Sequence, residues 1–291
     1  QMKHLRYYIY RLLQKIKNNK KLLVIFIFLF LILAFYFYLQ SLILEKEKYV
    51  FLIVDIDTTI SSKNLDIDSL LKELKNPQYS GIVLKISSEG GDIEVLRLVN
   101  SLKEINKTKI CYIDGLATSA AYWICSLSDY IIARPDSIVG SVGAYTVILD
   151  LSGFLEKFGI NVTIIKSTPY KDIGSFYRKL TDFEKEYLEY VLKSLTEKFI
   201  EDIKLKRQNI NDIAFTGLWF LAEDAKRYGL IDEIGEFEMV KKYIIERFNI
   251  TEDLISFRIK DFKRKKFSIL DIFFKSFNNF LYDSLSKKIF I

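Results

Sequence analysis

A chain of 291 residues that is half hydrophobic can bury one sizeable core, and it is too short for several large domains. Its formal net charge of +6 lies at the two ends, because residues 1–21 carry +7 and residues 262–291 carry +5, which leaves −6 for residues 22–261. This distribution excludes the broad basic surface of a nucleic-acid-binding domain, whereas the basic ends suit an anionic membrane surface.

The first predicted element is a transmembrane helix. Every residue of the stretch 22–39 is apolar, and residues 22–44 contain no charge. As a helix, residues 22–44 span about 34 Å, which is enough to cross a hydrocarbon core of about 30 Å. A cleavable signal peptide would be shorter and would end in small residues. The basic residues before the helix predict a cytoplasmic tail at 1–21 and an extracytoplasmic domain at 45–261.

After this helix, short β-rich runs alternate with amphipathic helical stretches, which predicts an α/β fold with mostly parallel strand pairing. The predicted strands are 49–56, 81–86, 109–113, 129–133, 139–148 and 161–166. A turn is predicted at Asp114-Gly115. The predicted helices are 92–105, one beginning near residue 119, 181–207 and 221–228. Thr181 and Glu184 fit a capping box at the start of the long helix.

The last predicted segment is a basic, aromatic tail at residues 262–291. Two interpretations stay open for it. It is either a poorly ordered basic end or an interfacial helix that lies on the membrane.

Two cysteines, Cys111 and Cys125, are too few for a disulfide framework. Two buried thiols are the simpler interpretation, because cysteine is often fully buried. A domain outside the cytoplasm would permit a bridge.

A single histidine limits the available chemistry. His4 is the only one in the chain, and it belongs to the predicted cytoplasmic tail. A Ser-His-Asp triad, a Cys-His dyad and a histidine-ligated metal site are therefore excluded for the globule. The sequence has no Asp-rich loop with calcium-site spacing and no glycine-rich phosphate loop. We expect neither a metal nor another cofactor.

Lysine can replace histidine as a general base if the fold holds its amine neutral. The ordinary lysine pKa is about 10.4, and burial lowers it by several units. A serine hydroxyl beside a neutral amine becomes a nucleophile. Candidate parts are the pair Gly90-Gly91, Ser119 among small residues at a strand-to-helix turn, and Lys171 in a turn-rich loop. Taken singly, they also fit a tight turn, a packed helix start and a solvated surface charge.

In their order and spacing these parts resemble signal peptide peptidase A, a family of bacterial and archaeal membrane-bound Ser-Lys peptidases. The likeness covers residues 50–236, and Ser141 and Lys171 lie 22 and 52 residues beyond Ser119, as in that family. The matching motifs are Ser88-Glu89-Gly90-Gly91, Thr118-Ser119-Ala120-Ala121-Tyr122-Trp123, Gly140-Ser141-Val142-Gly143, Tyr170-Lys171-Asp172 and Gly229-Leu230-Ile231-Asp232-Glu233-Ile234-Gly235.

The resemblance implies a role for five residues. Ser119 would be the nucleophile and Lys171 its general base, with Ser141 orienting the lysine amine. The backbone N–H groups of Gly91 and Ala120 would form the oxyanion hole. The implied fold is the crotonase- or Clp protease-like spiral of βαβ units.

The expected activity is that of a membrane-anchored serine endopeptidase, a hydrolase with a Ser-Lys dyad. Its expected substrates are signal-peptide remnants or other hydrophobic segments, and its expected partners are membrane lipid and further copies of itself in a homo-oligomer, with no nucleic acid. The alternative from another class is a catalytically silent membrane scaffold of the same fold that binds peptides. A crotonase-type acyl-CoA enzyme is disfavoured because the predicted domain faces away from cytosolic CoA.

Overall fold

The computed structural model describes residues 20–45 and 49–264, and this part of the chain is built on one eight-stranded mixed sheet. The strands are β1 (Tyr49–Ile56), β2 (Gly81–Ser88), β3 (Thr108–Thr118), β4 (Tyr130–Ala133), β5 (Ile138–Gly140), β6 (Trp219–Leu221), β7 (Glu233–Ile234) and β8 (Ile255–Asp261). Their order is β6-β5-β3-β2-β1-β8, and β4 pairs with β3 and β7. Every pair is parallel except β5 with β6. The predicted α/β fold with mostly parallel pairing is confirmed.

Eight α-helices accompany the sheet within the described residues. They are α1 (Lys20–Glu45), α2 (Ile67–Leu74), α3 (Val95–Glu104), α4 (Ala120–Ser126), α5 (Ser152–Lys157), α6 (Asp182–Lys204), α7 (Ala222–Arg227) and α8 (Glu238–Phe248). Two 3-10 turns lie at Asp212–Phe215 and Glu252–Leu254. The predicted capping box opens α6, since the Glu184 N–H donates to the Thr181 hydroxyl at 3.2 Å and the Thr181 N–H donates to the Glu184 carboxylate at 2.9 Å.

The central strands are buried on both faces, as parallel sheets usually are. Because side chains alternate along a strand, Leu52 and Val54 point into the larger core and Phe51 and Ile53 into a smaller one. Helices α3 and α4 contribute to the larger core, and α8 contributes to the smaller one. This double cover makes the middle of the sheet the most rigid base for a site.

Two predicted boundaries on the sheet are wrong. Strand β3 runs through Asp114 and Gly115, where a turn was predicted, because Gly115 adopts φ +111° and lets the strand continue. Helix α3 begins at Val95, three residues later than predicted. The Asp92 carboxylate accepts the Glu94 N–H at 3.0 Å, which forms a turn ahead of the helix.

Residues 141–180, which we call the arm, depart furthest from prediction. The strand predicted at 139–148 ends at Gly140, and the strand predicted at 161–166 is absent; α5 is the only helix that the structure describes in the arm. A strand needs a neighbour for its backbone hydrogen bonds, and no described strand lies beside 161–166. Large apolar side chains of the arm are exposed, including Tyr145, Val147, Leu149, Phe154, Phe158, Ile160, Ile165 and Tyr170.

Helix α1 contains the whole of the predicted membrane segment 22–44. The large apolar side chains described in it are between 41% and 65% exposed. Among the described residues, no helix meets the length and apolarity that a membrane crossing requires. The predicted tails 1–21 and 262–291 lie almost wholly outside the described residues.

The two cysteines form a disulfide. Cys111 in β3 and Cys125 in α4 are both fully buried, and their Cα atoms are 5.4 Å apart. The interpretation of two buried thiols was right about burial and wrong about the bond. The bridge closes a loop that contains Ser119.

Candidate active site

Three of the sequence motifs meet at one edge of the sheet. Strand β2 lies beside β3 and ends with Ser88 opposite Ala117, while β3 lies beside β5 and ends with Thr118 opposite Gly140. Since parallel strands place their carboxyl ends at the same edge, the segments that follow them are neighbours. The glycine pair and Ser119 are brought together in this way.

Ser119 occupies a strained turn between β3 and α4. Its backbone has φ 53° and ψ −125°, values that residues other than glycine seldom adopt. Its N–H donates to the Gly140 carbonyl at 2.9 Å, and its own carbonyl accepts the Trp123 N–H at 3.0 Å. Such strain costs about 1–3 kcal/mol and is typical of functional positions. The half-buried hydroxyl has no hydrogen-bond partner among the described residues.

The glycine pair lies directly against this turn. At Gly90, which has φ +119°, an added Cβ would lie 2.9 Å from the Ser119 Cβ and 3.2 Å from the Ala120 nitrogen. Residue Ile60 donates its N–H to the Gly90 carbonyl at 2.7 Å and accepts the Asp92 N–H at 3.0 Å. This bridge uses the groups on either side of Gly91 and leaves the Gly91 N–H without an acceptor among the described residues.

A cavity of about 220 Å³ opens beside the turn. Ser119, Ala120 and Gly91 form its polar side. Its apolar walls are Ile93, Val95, Trp123, Tyr145, Leu192, Leu195 and Phe199. An N–H at the first position of a helix has no intrahelical acceptor, so Ala120 presents a donor to the cavity. The Gly91 N–H, which has no acceptor among the described residues, belongs to the same lining. This arrangement suits an acyl group whose carbonyl oxygen becomes negative.

The wall of the cavity is fixed by an aromatic stack and a buried carboxylate. The rings of Trp123 and Phe199 stack with centroids 4.4 Å apart, joining α4 to α6. The Trp123 indole donates to the buried Asp202 carboxylate at 3.0 Å, and Lys103 donates to the same carboxylate at 2.6 Å. Sequence reasoning missed these α6 residues, whose only signal was the apolar face of a long helix.

The other two predicted residues are not brought to the cavity. Lys171 is exposed in the arm, does not line the cavity, and has no hydrogen bond or ion pair from its amine to any described residue. Ser141 adopts φ 54° and donates its N–H to the Leu218 carbonyl at 2.7 Å. It also does not line the cavity, although Gly143 and Ala144 just after it do. The roles of Lys171 and Ser141 stay predictions.

An ionic cluster follows Lys171, and no sequence pattern predicted it. The Arg178 guanidinium donates to Asp172 at 2.8 and 3.0 Å and to Glu184 at 2.8 and 2.6 Å. Lys166 donates to the same Asp172 carboxylate at 2.7 Å. We call these four residues the Arg178 cluster. Hydrogen bonds from Arg178 lower the pKa of Asp172 well below its usual range and lower the pKa of Glu184 to about 2.

Glu89, which precedes the glycine pair, is exposed, and its carboxylate accepts the Thr59 hydroxyl at 3.1 Å. The described residues contain no group of three or more His, Cys, Asp or Glu side chains placed to hold a metal ion.

Comparison with known proteins points to peptidases. The chain is 34% identical over 206 residues to the candidate protease MJ0651 of Methanocaldococcus jannaschii, covering 67% of this chain and 65% of the relative. It is 27% identical over 190 residues to a candidate signal peptide peptidase SppA of Enterococcus faecium, covering 61% of this chain and 55% of the relative. The chain therefore spans roughly three fifths of the length of these relatives. A mutant of the membrane-bound stomatin-specific protease 1510-N matches with a TM-score of 0.49 at 15% identity, covering 75% of this chain and 99% of that one.

A match to a family model shows which protein family the chain belongs to. The model of peptidase family S49 matches residues 101–250, a range that contains Ser119, Ser141 and Lys171. The predicted class, a serine peptidase, is confirmed at the level of the family. Because this match covers more than half of the chain and includes the strained turn that carries Ser119, the chain belongs to peptidase family S49.

Proposed function

We propose that this chain is a serine endopeptidase in which Ser119 is the nucleophile and Lys171 is its general base. The observation that carries the proposal is the strained turn at Ser119, whose hydroxyl lies beside the N–H groups of Gly91 and Ala120 at an apolar cavity. A hydroxyl, two backbone donors and a pocket for a side chain are what peptide-bond cleavage by acyl transfer needs.

In the acylation step the Ser119 oxygen attacks the carbonyl carbon of the substrate, and the neutral Lys171 amine accepts the hydroxyl proton. The carbonyl oxygen becomes an oxyanion that accepts hydrogen bonds from Gly91 and Ala120. The C–N bond then breaks as the Lys171 ammonium donates a proton to the leaving amine. Removing one such oxyanion donor costs other hydrolases about 10²–10³ in kcat.

In the deacylation step a water molecule attacks the acyl ester while Lys171 accepts its proton, and the proton returns to the Ser119 oxygen. Lys171 must reach the cavity for both steps, so the arm has to close over it. Catalytic contacts are often loose in enzymes without substrate. Ser141, which sits where the arm leaves β5, is the proposed partner that orients the amine.

The proposed substrates are hydrophobic peptides, such as signal-peptide remnants or segments of membrane proteins. The cavity supports this choice, because its walls are aliphatic and aromatic side chains from α3, α4 and α6. The candidate signal peptide peptidase name of the Enterococcus faecium relative points the same way.

We also place the enzyme on a membrane, with residues 1–21 in the cytoplasm and the domain outside. The support is the uncharged stretch 22–44 and the exposure of apolar side chains along α1, which is typical of a helix surrounded by lipid. The buried disulfide fits an oxidising compartment. Release of the protein from membranes by an alkaline carbonate wash would contradict the anchor.

A homo-oligomer of crotonase- or Clp-like subunits is the proposed assembly. Its support is the apolar surface of the arm and of the first half of α6, where Phe183, Tyr187 and Tyr190 are each more than half exposed. Exposed apolar patches of this kind usually mark interaction sites. A single mass of one chain by light scattering in detergent would contradict the assembly.

One observation favours the alternative of a silent scaffold that binds peptides. Lys171 is exposed and away from the cavity, so no lysine among the described residues lines the cavity beside Ser119. The scaffold and the peptidase differ in whether the serine reacts, which can be measured directly.

The test is labelling with a fluorophosphonate probe, together with cleavage of an internally quenched apolar peptide, over a series of pH values. Wild type is expected to label and to cleave with rates that rise toward alkaline pH, because a lysine base must be neutral. Ser119→Ala is expected to abolish both, and Lys171→Ala to lower both by about 10³-fold or more. The matched control is Lys193→Ala, which removes an exposed lysine of α6 that pairs, among the described residues, only with Glu197.

A folded wild-type protein that neither labels nor cleaves would establish the scaffold instead. A Lys171→Ala protein with the wild-type rate would show that another group is the base.

A further inference from the structure

The Arg178 cluster is the main polar attachment of the arm to the rest of the chain. Lys166, Asp172 and Arg178 belong to the arm, and Glu184 lies in the first turn of α6. Asp172 and Glu184 are only 9% and 2% exposed, so both carboxylates lie almost entirely out of water. Buried charges persist only when they are paired and hydrogen-bonded. Here the Arg178 guanidinium donates four hydrogen bonds to the two carboxylates.

The cluster restricts the conformation of the chain between Asp172 and Glu184. Arg178 is six residues from each carboxylate, and its planar guanidinium must lie between the two. Glu184 also accepts the Thr181 N–H in the capping box, which fixes it to the start of α6. These hydrogen bonds therefore tie the loop that carries Asp172 to the start of that helix.

The same helix also forms a wall of the cavity beside Ser119. Leu192 and Leu195 line the cavity, and Leu192 lies eight residues, or about 12 Å along the axis, beyond Glu184. Lys171 is the residue directly before Asp172. Helix α6 thus connects the cavity at its middle to the loop of Lys171 at its start.

We propose that Arg178, with Asp172 and Glu184, positions Lys171 for catalysis and balances the charge around its amine. This inference rests on the proposed function, in which Lys171 is the base. The two cations and two carboxylates of the cluster cancel, so Lys171 lies next to no uncompensated negative charge. The other charged residues in the neighbouring sequence are Lys179 in the arm and Asp182 and Lys185 at the start of α6.

The charge balance gives opposite expectations for two isosteric or near-isosteric changes. Arg178→Gln leaves two carboxylates with only Lys166, which favours the ammonium form of Lys171 and moves the acid limb of the kcat–pH profile to higher pH. Glu184→Gln leaves an excess cation and moves that limb to lower pH. Glutamine still accepts the Thr181 N–H, so the capping box is kept.

The rate itself separates positioning from substrate binding. Arg178→Gln is expected to lower kcat tenfold or more with KM changed less than threefold, because the loop of Lys171 is then no longer tied to α6 and closes over the cavity less often. Arg178→Lys keeps the positive charge but loses the bidentate hydrogen bonds to the two carboxylates. It is expected to recover the pH profile and only part of kcat, and it serves as the folded reference if Arg178→Gln does not fold.

The experiment uses the full chain in detergent, the internally quenched apolar peptide and pH values from 6 to 11. The matched control is Lys185→Gln, which removes an exposed charge one residue beyond Glu184. Within residues 20–45 and 49–264, its only ion-pair partner is Glu189 at 3.9 Å. The control is expected to keep kcat within twofold and to leave the midpoint of the profile in place.

Two failures are distinguishable. If Lys171→Ala keeps the wild-type rate, the proposed base is wrong and the positioning role falls with it. If Lys171 is essential but the Arg178 and Glu184 variants keep the wild-type profile, or shift it in the same direction, Lys171 is the base and the positioning role alone is overturned.

Discussion

The two halves of the candidate site are built in opposite ways. Ser119 and the donors of Gly91 and Ala120 lie at the edge of a sheet that is buried on both faces. Lys171 lies in an arm of forty residues that contains one short described helix and exposes most of its large apolar side chains. The first half is fixed by backbone bonds and a disulfide, and the second by the Arg178 cluster.

In the proposed mechanism, this difference separates the oxyanion donors, which must be in place before the reaction, from the general base, which is needed only during proton transfer. Oxyanion donors stabilise developing charge only if they are already aimed at it, because reorganising them would cost the energy that they save. A general base needs to be in reach only while the proton moves. A sheet edge held by backbone hydrogen bonds suits the donors, and a separate loop that closes over the cavity suits the lysine of the proposed mechanism.

The largest expected difference between the two halves appears when one methyl group is added to a glycine in each. Gly91→Ala would push a Cβ into the Ile60 carbonyl, which is backbone and cannot move aside. We expect activity to be lost and the free energy of unfolding to fall by about 3 kcal/mol or more. Gly153→Ala in α5 meets nothing within 4 Å, and it should keep activity and raise helix stability by about 0.5–1 kcal/mol.

Chemical denaturation and peptide cleavage measure both variants. If Gly91→Ala were as stable and active as wild type, the sheet edge would not be the rigid half. If Gly153→Ala abolished activity, the arm would be packed more tightly than its exposure indicates.

The sheet half was the easier one to predict from sequence. Strand β1 was predicted with its observed bounds, because a buried parallel strand is a continuous apolar run with clear ends. The helix start after Ser119 was predicted from the run of small residues. The continuation of β3 through Asp114 was missed because a glycine after an aspartate is typical of a turn. Gly115 instead adopts φ +111° within the strand.

The arm half was predicted poorly for a physical reason. Residues 161–166 are rich in β-branched side chains, yet a strand also requires a partner, and sequence does not say whether one exists. The Arg178 cluster depends on how a loop folds back on a helix, which no local pattern specifies. Family motifs predict Lys171 as the base, but they do not specify where its amine lies.

The next largest effect concerns the disulfide that closes the loop around Ser119. Replacing both Cys111 and Cys125 with alanine is expected to cost about 3 kcal/mol, because a bridge over a loop of this length restricts the unfolded chain by that amount. For a domain of this size the melting temperature should fall by about 6–12 °C.

Hydrogen exchange would show which elements lose stability when the disulfide is removed. We expect faster exchange in β3 and α4 and unchanged exchange in the arm, since the bridge joins elements of the sheet half only. A count of two free thiols in the folded wild type, with no change of melting temperature on adding reductant, would show that the sheet edge is rigid without a bridge.

The smallest expected effect is a pH range in which the arm opens before the sheet does. The pKa of Glu184 is about 2 in the folded chain, held there first by hydrogen bonds from Arg178, against an ordinary value of about 4.3. A lowered pKa means that this carboxylate stabilises the folded state above about pH 4.3 and loses that contribution as the pH falls toward 2. Asp172, whose pKa is also lowered, acts in the same direction.

Hydrogen exchange between pH 5 and pH 2, corrected for the intrinsic pH dependence of the rates, tests this window. Peptides covering Lys171 to Glu184 are expected to lose protection across it while peptides from β1, β2 and β3 stay protected. Glu184→Gln cannot titrate there, so it should show weaker arm protection already at pH 5 and a smaller change below it. Equal loss of protection in the sheet and the arm would mean that the Arg178 cluster is part of the core rather than the attachment of a separate, closing half.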